Sequence, residues 1–197
     1  MGTRRPTMVL TMCSRVHLLA AAVILALVPV SSGQAHNGCR DASLPSQAQT
    51  LLDSKFLNWR PKHLSDLGAD DQRLWMKAHP KECPGIAVGH FEEPDRISYA
   101  VLLVPKSELA AGYKIVVLSK ASTADAYALK VLDHADGGTY SSSGLVISKA
   151  TPRAYSDFED AKSVRLRLDG VNVEWIEKGA VLYYWSRGRY RTIQTSD

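Results

Sequence analysis

The sequence has few cysteines, little net charge and no apolar run long enough to span a membrane. Its 197 residues include three cysteines, too few for a disulfide-dense miniprotein. A charged fraction of 22% and a hydrophobic fraction of 45% exclude a disordered tail and a collagen-like repeat. The chain also lacks a phosphate-cradling glycine loop, a dinucleotide fingerprint and the Gly-x-Ser-x-Gly elbow of many hydrolases. We therefore predict no cofactor and no metal.

The positive charge of the chain is concentrated near its N-terminus. The formal net charge is +4, and residues 1–35 contain Arg4, Arg5 and Arg15 but no carboxylate. Without these three arginines, the 24 basic residues fall to 21 against 20 acidic ones, a net charge of +1. With its basic and acidic residues so nearly equal in number, the rest of the chain shows no excess of positive charge that would attract nucleic acid or an anionic membrane. We expect neither as a partner.

Residues 1–35 have the pattern of a secretory signal peptide. A basic start precedes an uncharged apolar run of 13 residues at 18–30, and small and polar residues follow up to Ala35. The run is shorter than the ~20 residues that a membrane span needs. The pattern predicts cleavage after Ala35, with the mature chain 36–197 secreted or periplasmic and not held at a membrane. The translation start stays open between Met1, Met8 and Met12.

Cleavage would remove Cys13 and leave Cys39 and Cys83. Two cysteines in an oxidising compartment predict one disulfide, with a catalytic thiol as the alternative. The bridge would enclose 43 residues and stabilise the fold by about 4 kcal/mol in the chain-entropy model.

Two helices are predicted in the first third of the mature chain. Pro45 suits the first turn of a helix that carries the apolar residues Ala48, Leu51, Leu52 and Phe56. A second helix is expected from Ala69 to Ala78, ending before Pro80. Its predicted core-facing residues are Leu67, Leu74 and Ala78.

Short strand patterns fill the remaining two thirds. They are predicted at residues 86–88, 98–104, 113–118, 127–132, 144–148, 164–168, 171–176, 180–185 and 190–195. Short connections favour antiparallel pairing, since parallel crossovers need a dozen or more residues. Residues 101–104 are apolar on both faces, which predicts a central strand. The predicted class is α+β: N-terminal helices packed on a mostly antiparallel sheet, in a single exported domain over 36–197.

The segment at residues 85–103 resembles a degenerate strand–loop–strand unit of the FG-GAP/VCBS kind. Gly89, Phe91, Tyr99 and Ala100 match that frame. In the family, acidic loop residues bind calcium. Here the ligand positions fall on His90, Glu92, Pro94 and Ser98, of which only Glu92 could serve, so the resemblance implies the hairpin and not the calcium. Together with residues 177–191, the chain also resembles small exported bacterial proteins without an assigned function.

The last two strands carry the best candidate for a contact surface. Tyr184, Trp185, Arg187, Arg189 and Tyr190 cluster around a predicted turn at residues 187–188, and aromatic side chains with arginine dominate binding hot spots. The alternative is an aromatic core on one side of the hairpin with solvated arginines on the other.

Three functional hypotheses follow. The first is a non-catalytic exported domain that binds a protein, peptide or glycan through this hairpin. The second is a hydrolase of cell-wall or extracellular polymers with His90 and Glu92 at its centre. The third is an inhibitor or accessory subunit of another exported protein. His90, Glu92, Glu93 and Asp95 are ligand types close in sequence, but no paired His or Cys spacing supports a metal.

Overall fold

The computed structural model describes Cys39 and residues 43–107, 111–121, 126–137, 142–160 and 162–196. The chain divides into two units, Met1–Gln34 and Ala35–Asp197, and all elements below belong to the second. The predicted signal peptide, with Cys13 and the cleavage site, lies outside the described residues.

The first sheet contains five antiparallel strands. Its order is β1-β3-β4-β5, and β2 also pairs with β3. The strands are β1 (Trp59–Pro61), β2 (Ile86–Gly89), β3 (Ser98–Pro105), β4 (Gly112–Lys120) and β5 (Tyr127–Asp136). The central position predicted for residues 101–104 is confirmed, because β3 lies inside the sheet and these four residues are buried.

The second sheet contains four antiparallel strands in the order β11-β10-β9-β6. A separate two-stranded hairpin, β7–β8, lies between β6 and β9 in sequence. The strands are β6 (Leu145–Ala150), β7 (Ala154–Ser156), β8 (Ser163–Arg165), β9 (Gly170–Trp175), β10 (Gly179–Ser186) and β11 (Arg189–Ser196). The strand predicted at 164–168 is shorter than expected, since pairing with β7 ends at Arg165.

The main core lies between the two sheets. One face of the first sheet contributes Leu102, Ile115 and Val117, and the second sheet contributes Ile147 and Val173, all 0% exposed. The alternation of side chains along each strand places these residues on the inner faces. The arrangement is a packed pair of sheets.

Each sheet has a helix on its other face. Helix α1 (Ser46–Lys55) buries Ala48 and Leu52 against Val101, Leu103, Val116 and Leu118 of the first sheet. Helix α2 (Ala69–Ala78) packs Trp75 near Val146 and Ile176 of the second sheet. The predicted combination of helices with mostly antiparallel sheet is confirmed, but the α+β class holds only in part, because sheet-on-sheet packing dominates the core. No helix among the described residues has the length and apolarity required to cross a bilayer.

The buried face of α2 differs from the prediction. Leu67 is buried as expected, but Leu74 is 39% exposed and Ala78 is exposed, whereas Trp75 is 3% exposed. Trp75 stacks on His79, one turn later, with ring centroids 4.2 Å apart. The larger apolar surface of the indole therefore selects the face, and Leu74 is rotated about 100° away from it.

The segment Cys83–Ile86 joins the two sheets. The carbonyl of Gly85 accepts a hydrogen bond from the Leu102 amide at 2.9 Å, and the carbonyl of Pro84 accepts one from the Ile147 amide at 2.9 Å. The first bond belongs to the first sheet and the second reaches β6. Cys83 forms the predicted disulfide with Cys39.

Lys62 lies against this segment and is 1% exposed. Its ammonium group donates hydrogen bonds to the carbonyls of Ser142 and Ser143, the latter at 2.8 Å. Burial lowers the pKa of the Lys62 side chain to about 8. A side chain on Gly85 has no room, because a Cβ there would lie 2.1 Å from the Lys62 carbonyl oxygen.

Replacing both Cys39 and Cys83 by serine should lower the free energy of unfolding by up to about 4 kcal/mol, because the unfolded chain regains the entropy of a 44-residue separation. Urea denaturation of the two proteins measures the difference. Adding reductant should bring the wild type down to the variant and leave the variant unchanged. Equal stability of the two oxidised proteins would contradict the prediction.

Because Lys62 is buried, the free energy of unfolding should change with pH in the alkaline range. Its pKa is lower in the folded than in the unfolded chain, so the unfolded chain binds more protons above about pH 8. The free energy of unfolding should therefore rise between pH 8 and pH 9.5 more steeply in the wild type than in Lys62→Met. Urea titrations at closely spaced pH values measure the slopes, and parallel slopes would refute the assignment.

Candidate functional site

The end of the β10–β11 hairpin is built by a two-residue turn. Arg187 and Gly188 have φ values of 52° and 79°, the left-handed conformations that a type I′ turn requires, so the predicted turn is confirmed. The turn sets Trp185 opposite Tyr190 and Tyr184 opposite Arg191. Directly opposed residues share a face, so these two pairs lie on opposite faces of the hairpin.

The first face carries an aromatic pair and a basic residue. The rings of Trp185 and Tyr190 meet edge to face with centroids 5.0 Å apart. Lys130 of β5 places its Nζ 5.0 Å from the Trp185 ring centroid and 2.7 Å from Oε2 of Glu92. This interaction brings Glu92, from the loop after β2, to the hairpin.

An open groove of about 480 Å³ lies on this face. We call it the aromatic groove; Lys130, Leu132, Trp185, Arg189 and Tyr190 line it. The Tyr190 hydroxyl is buried close to the Glu92 carboxylate. Burial, and then the nearby carboxylate of Glu92, raise the pKa of Tyr190 above its ordinary value, so the phenol stays neutral.

The second face forms a larger groove of about 720 Å³ against β8 and the residues that follow it. We call it the arginine groove; Arg165, Arg167, Tyr184, Trp185, Arg187 and Arg191 line it. Leu166 lies between two of these arginines and is buried against Leu182 and Ile193. Apolar and basic residues alternate at 164–168, and this alternation turns Leu166 inward and the two arginines outward.

His90 lines neither the aromatic groove nor the arginine groove. Its backbone amide donates to Oδ2 of Asp169 at 2.9 Å, and the Asp169 amide donates to the His90 carbonyl at 3.2 Å. The imidazole Nδ1 is buried without a hydrogen-bond partner in the described residues. Over those same residues, no group of three or more His, Cys, Asp or Glu side chains is arranged to hold a metal ion.

The structure brings together part of the predicted site and adds residues to it. Trp185, Arg189 and Tyr190 line one groove, and Tyr184, Trp185 and Arg187 line the other. The residues that sequence reasoning missed are Lys130, Arg165 and Arg167. Apolar and basic residues alternate at 164–168, which was a signal for the two arginines, but nothing local to Lys130 indicated its approach to Trp185.

The β2–β3 pairing gives the strand–loop–strand form that the FG-GAP/VCBS resemblance implies, with Gly89 opposite Ser98. The resemblance itself stays a prediction. Comparisons of the chain with protein-family models, curated proteins and solved structures each found no match.

The Glu92–Lys130 pair should contribute measurably to stability. The Glu92 side chain is 11% exposed and that of Lys130 is 40% exposed, so water screens their attraction only in part. A double-mutant cycle with Glu92→Gln and Lys130→Met should give a coupling free energy of about 1 kcal/mol in urea denaturation.

The matched control is the pair Asp160–Lys162, whose side chains are 59% and 73% exposed. The cycle Asp160→Asn with Lys162→Met should show no measurable coupling. Additive effects at Glu92 and Lys130 would show that their contact carries no net stabilisation.

Proposed function

We propose that the chain is an exported, non-catalytic binding domain that captures its ligand at the end of the β10–β11 hairpin. The contact surface is formed by Tyr184, Trp185, Arg187, Arg189 and Tyr190. One observation carries the proposal: Trp185 stands at the boundary of two open grooves and lines both. Aromatic and arginine side chains next to an open concave surface are the groups that dominate binding energies.

Export is supported by two features. Residues 1–35 have the signal-peptide pattern, and the Cys39–Cys83 disulfide is compatible with an oxidising compartment outside the cytoplasm. The proposed location is the periplasm or the medium of a bacterial host. The inferred partner is an exported protein, a peptide or a glycan.

The hydrolase hypothesis has less support than binding. A hydrolytic centre at His90 needs its imidazole near a second acid–base group, whereas the hydrogen bonds of His90 with Asp169 use only its backbone. Glu92 is held by Lys130. A turnover screen with cell-wall and extracellular polymers separates the two hypotheses. Activity that disappears in both His90→Ala and Glu92→Ala would favour the enzyme.

The binding surface is tested by capture of the full chain on an array of immobilised glycans and on a displayed peptide library. The variant Trp185→Ala with Arg189→Ala should lose at least tenfold in affinity for whatever ligand the wild type retains, because each hot-spot truncation costs more than about 1 kcal/mol. Thermal melting verifies that the variant is folded.

Trp185 also packs on Tyr190, so a second variant is needed that cannot disturb the core. Arg187→Ala with Arg189→Ala removes two exposed side chains and should weaken capture in the same direction. Arg73→Ala with Lys77→Ala removes two exposed basic side chains of helix α2 and should leave capture unchanged. Full capture by both hairpin variants would reject this surface.

A further inference from the structure

Charge is segregated in the arginine groove far more than in the chain as a whole. The ten residues that line it include four arginines and no carboxylate. Beyond residue 35, by contrast, the chain carries nearly equal numbers of basic and acidic residues. Four guanidinium groups around one concavity create a positive potential that low-dielectric walls focus into the groove.

These arginines have no protein counterion within the described residues. None of Arg165, Arg167, Arg187 and Arg191 takes part in an ion pair there. The first three are exposed, and Nε of Arg191 is buried without a hydrogen-bond partner. A buried donor without an acceptor has lost its hydration and gained nothing in return, so an anionic ligand that reached Arg191 would restore that bond. Guanidinium groups bind carboxylates through two parallel hydrogen bonds.

The lining of the groove presents four guanidinium groups to a ligand. The main chains of β10 and β11 pair with each other here, with Tyr184 opposite Arg191. Because β11 is the outer strand of its sheet, whose main-chain edge does not distinguish one extended chain from another, the choice of ligand rests on these side chains and not on the main chain. A ligand with repeated carboxylates matches several guanidinium groups that have no counterion of their own among the described residues.

We propose that the arginine groove binds an acidic polysaccharide whose sugars carry carboxylates. The guanidinium groups pair with successive carboxylates, and the half-buried ring of Tyr184, on the same face of the hairpin as Arg191, packs against the apolar face of a sugar ring. The inference rests on the proposed binding function and adds the chemical class of the ligand. It accounts for the unpaired arginines and an aromatic ring at one place.

The test is calorimetric titration of the full chain with oligogalacturonate and oligomannuronate hexasaccharides. The methyl ester of the first keeps the same sugar backbone without the negative charge. We expect binding of at least one acid form, no binding of the ester, and weaker binding at high salt. Arg165→Gln with Arg167→Gln should lower the affinity about tenfold or more, since each hydrogen bond to a charged group contributes substantially. Arg191→Gln should lower it further.

The matched control, Arg73→Gln with Lys77→Gln, makes the same change in net charge on helix α2, away from the groove, and should bind like the wild type. Four results would overturn the proposal: no binding of either oligouronide, equal binding of the ester, unchanged affinity in the groove variants, or equal affinity for poly-L-glutamate or oligo(dT). These results leave the proposed function standing if array capture still depends on Trp185 and Arg189. If capture does not depend on Trp185 and Arg189, the proposed function itself is contradicted.

Discussion

The close approach of Gly85 to the main chain of Lys62 is the constraint on which the two-sheet architecture depends. The absence of a side chain at residue 85 lets the segment Cys83–Ile86 lie against Lys62 while its carbonyls bond to both sheets. Lys62 in turn bonds through its amide to Leu102 and through its ammonium group to the carbonyls just before β6. Lys62, which directly follows the edge strand β1, therefore connects the first sheet to the residues just before β6. Burial of a lysine is costly unless its donors are satisfied, so this position tolerates little change.

The site at the hairpin is a consequence of how the sheets are stacked. Lys130 belongs to the first sheet and Trp185 to the second, and they meet because the inner faces of the two sheets are packed together. Glu92 follows β2, which the Cys83–Ile86 segment introduces, and it joins the same cluster through Lys130. The segment Cys83–Ile86, although distant from the hairpin in sequence, thus helps to place Glu92 next to the Trp185–Tyr190 pair.

Local patterns predicted the elements better than their assembly. The helix at Ala69–Ala78, the turn at Arg187 and Gly188, and the central strand all follow from signals within a few residues: an acidic first turn, a glycine tolerant of positive φ, and an apolar run. The split into two sheets does not, because antiparallel strands with similar patterns leave their pairing partners unspecified. The predicted face of α2 was wrong for a related reason: spacing alone put Leu74 and Ala78 on the core side, and only the partner surface at Val146 and Ile176 shows that Trp75 is the buried residue.

The same limit applies to charge. The balanced composition beyond residue 35 indicated no footprint for a polyanion, yet charges interact over about 8 Å at physiological salt, far less than the length of the chain. Several acidic side chains are occupied elsewhere: Asp66 with Arg60, Glu82 with His79, Glu92 with Lys130 and Asp136 with Lys114. The arginines around Tyr184 are left without such partners among the described residues. A ligand in that groove responds to those nearby arginines and not to the sum over the chain, so a nearly neutral protein can present a strongly basic site.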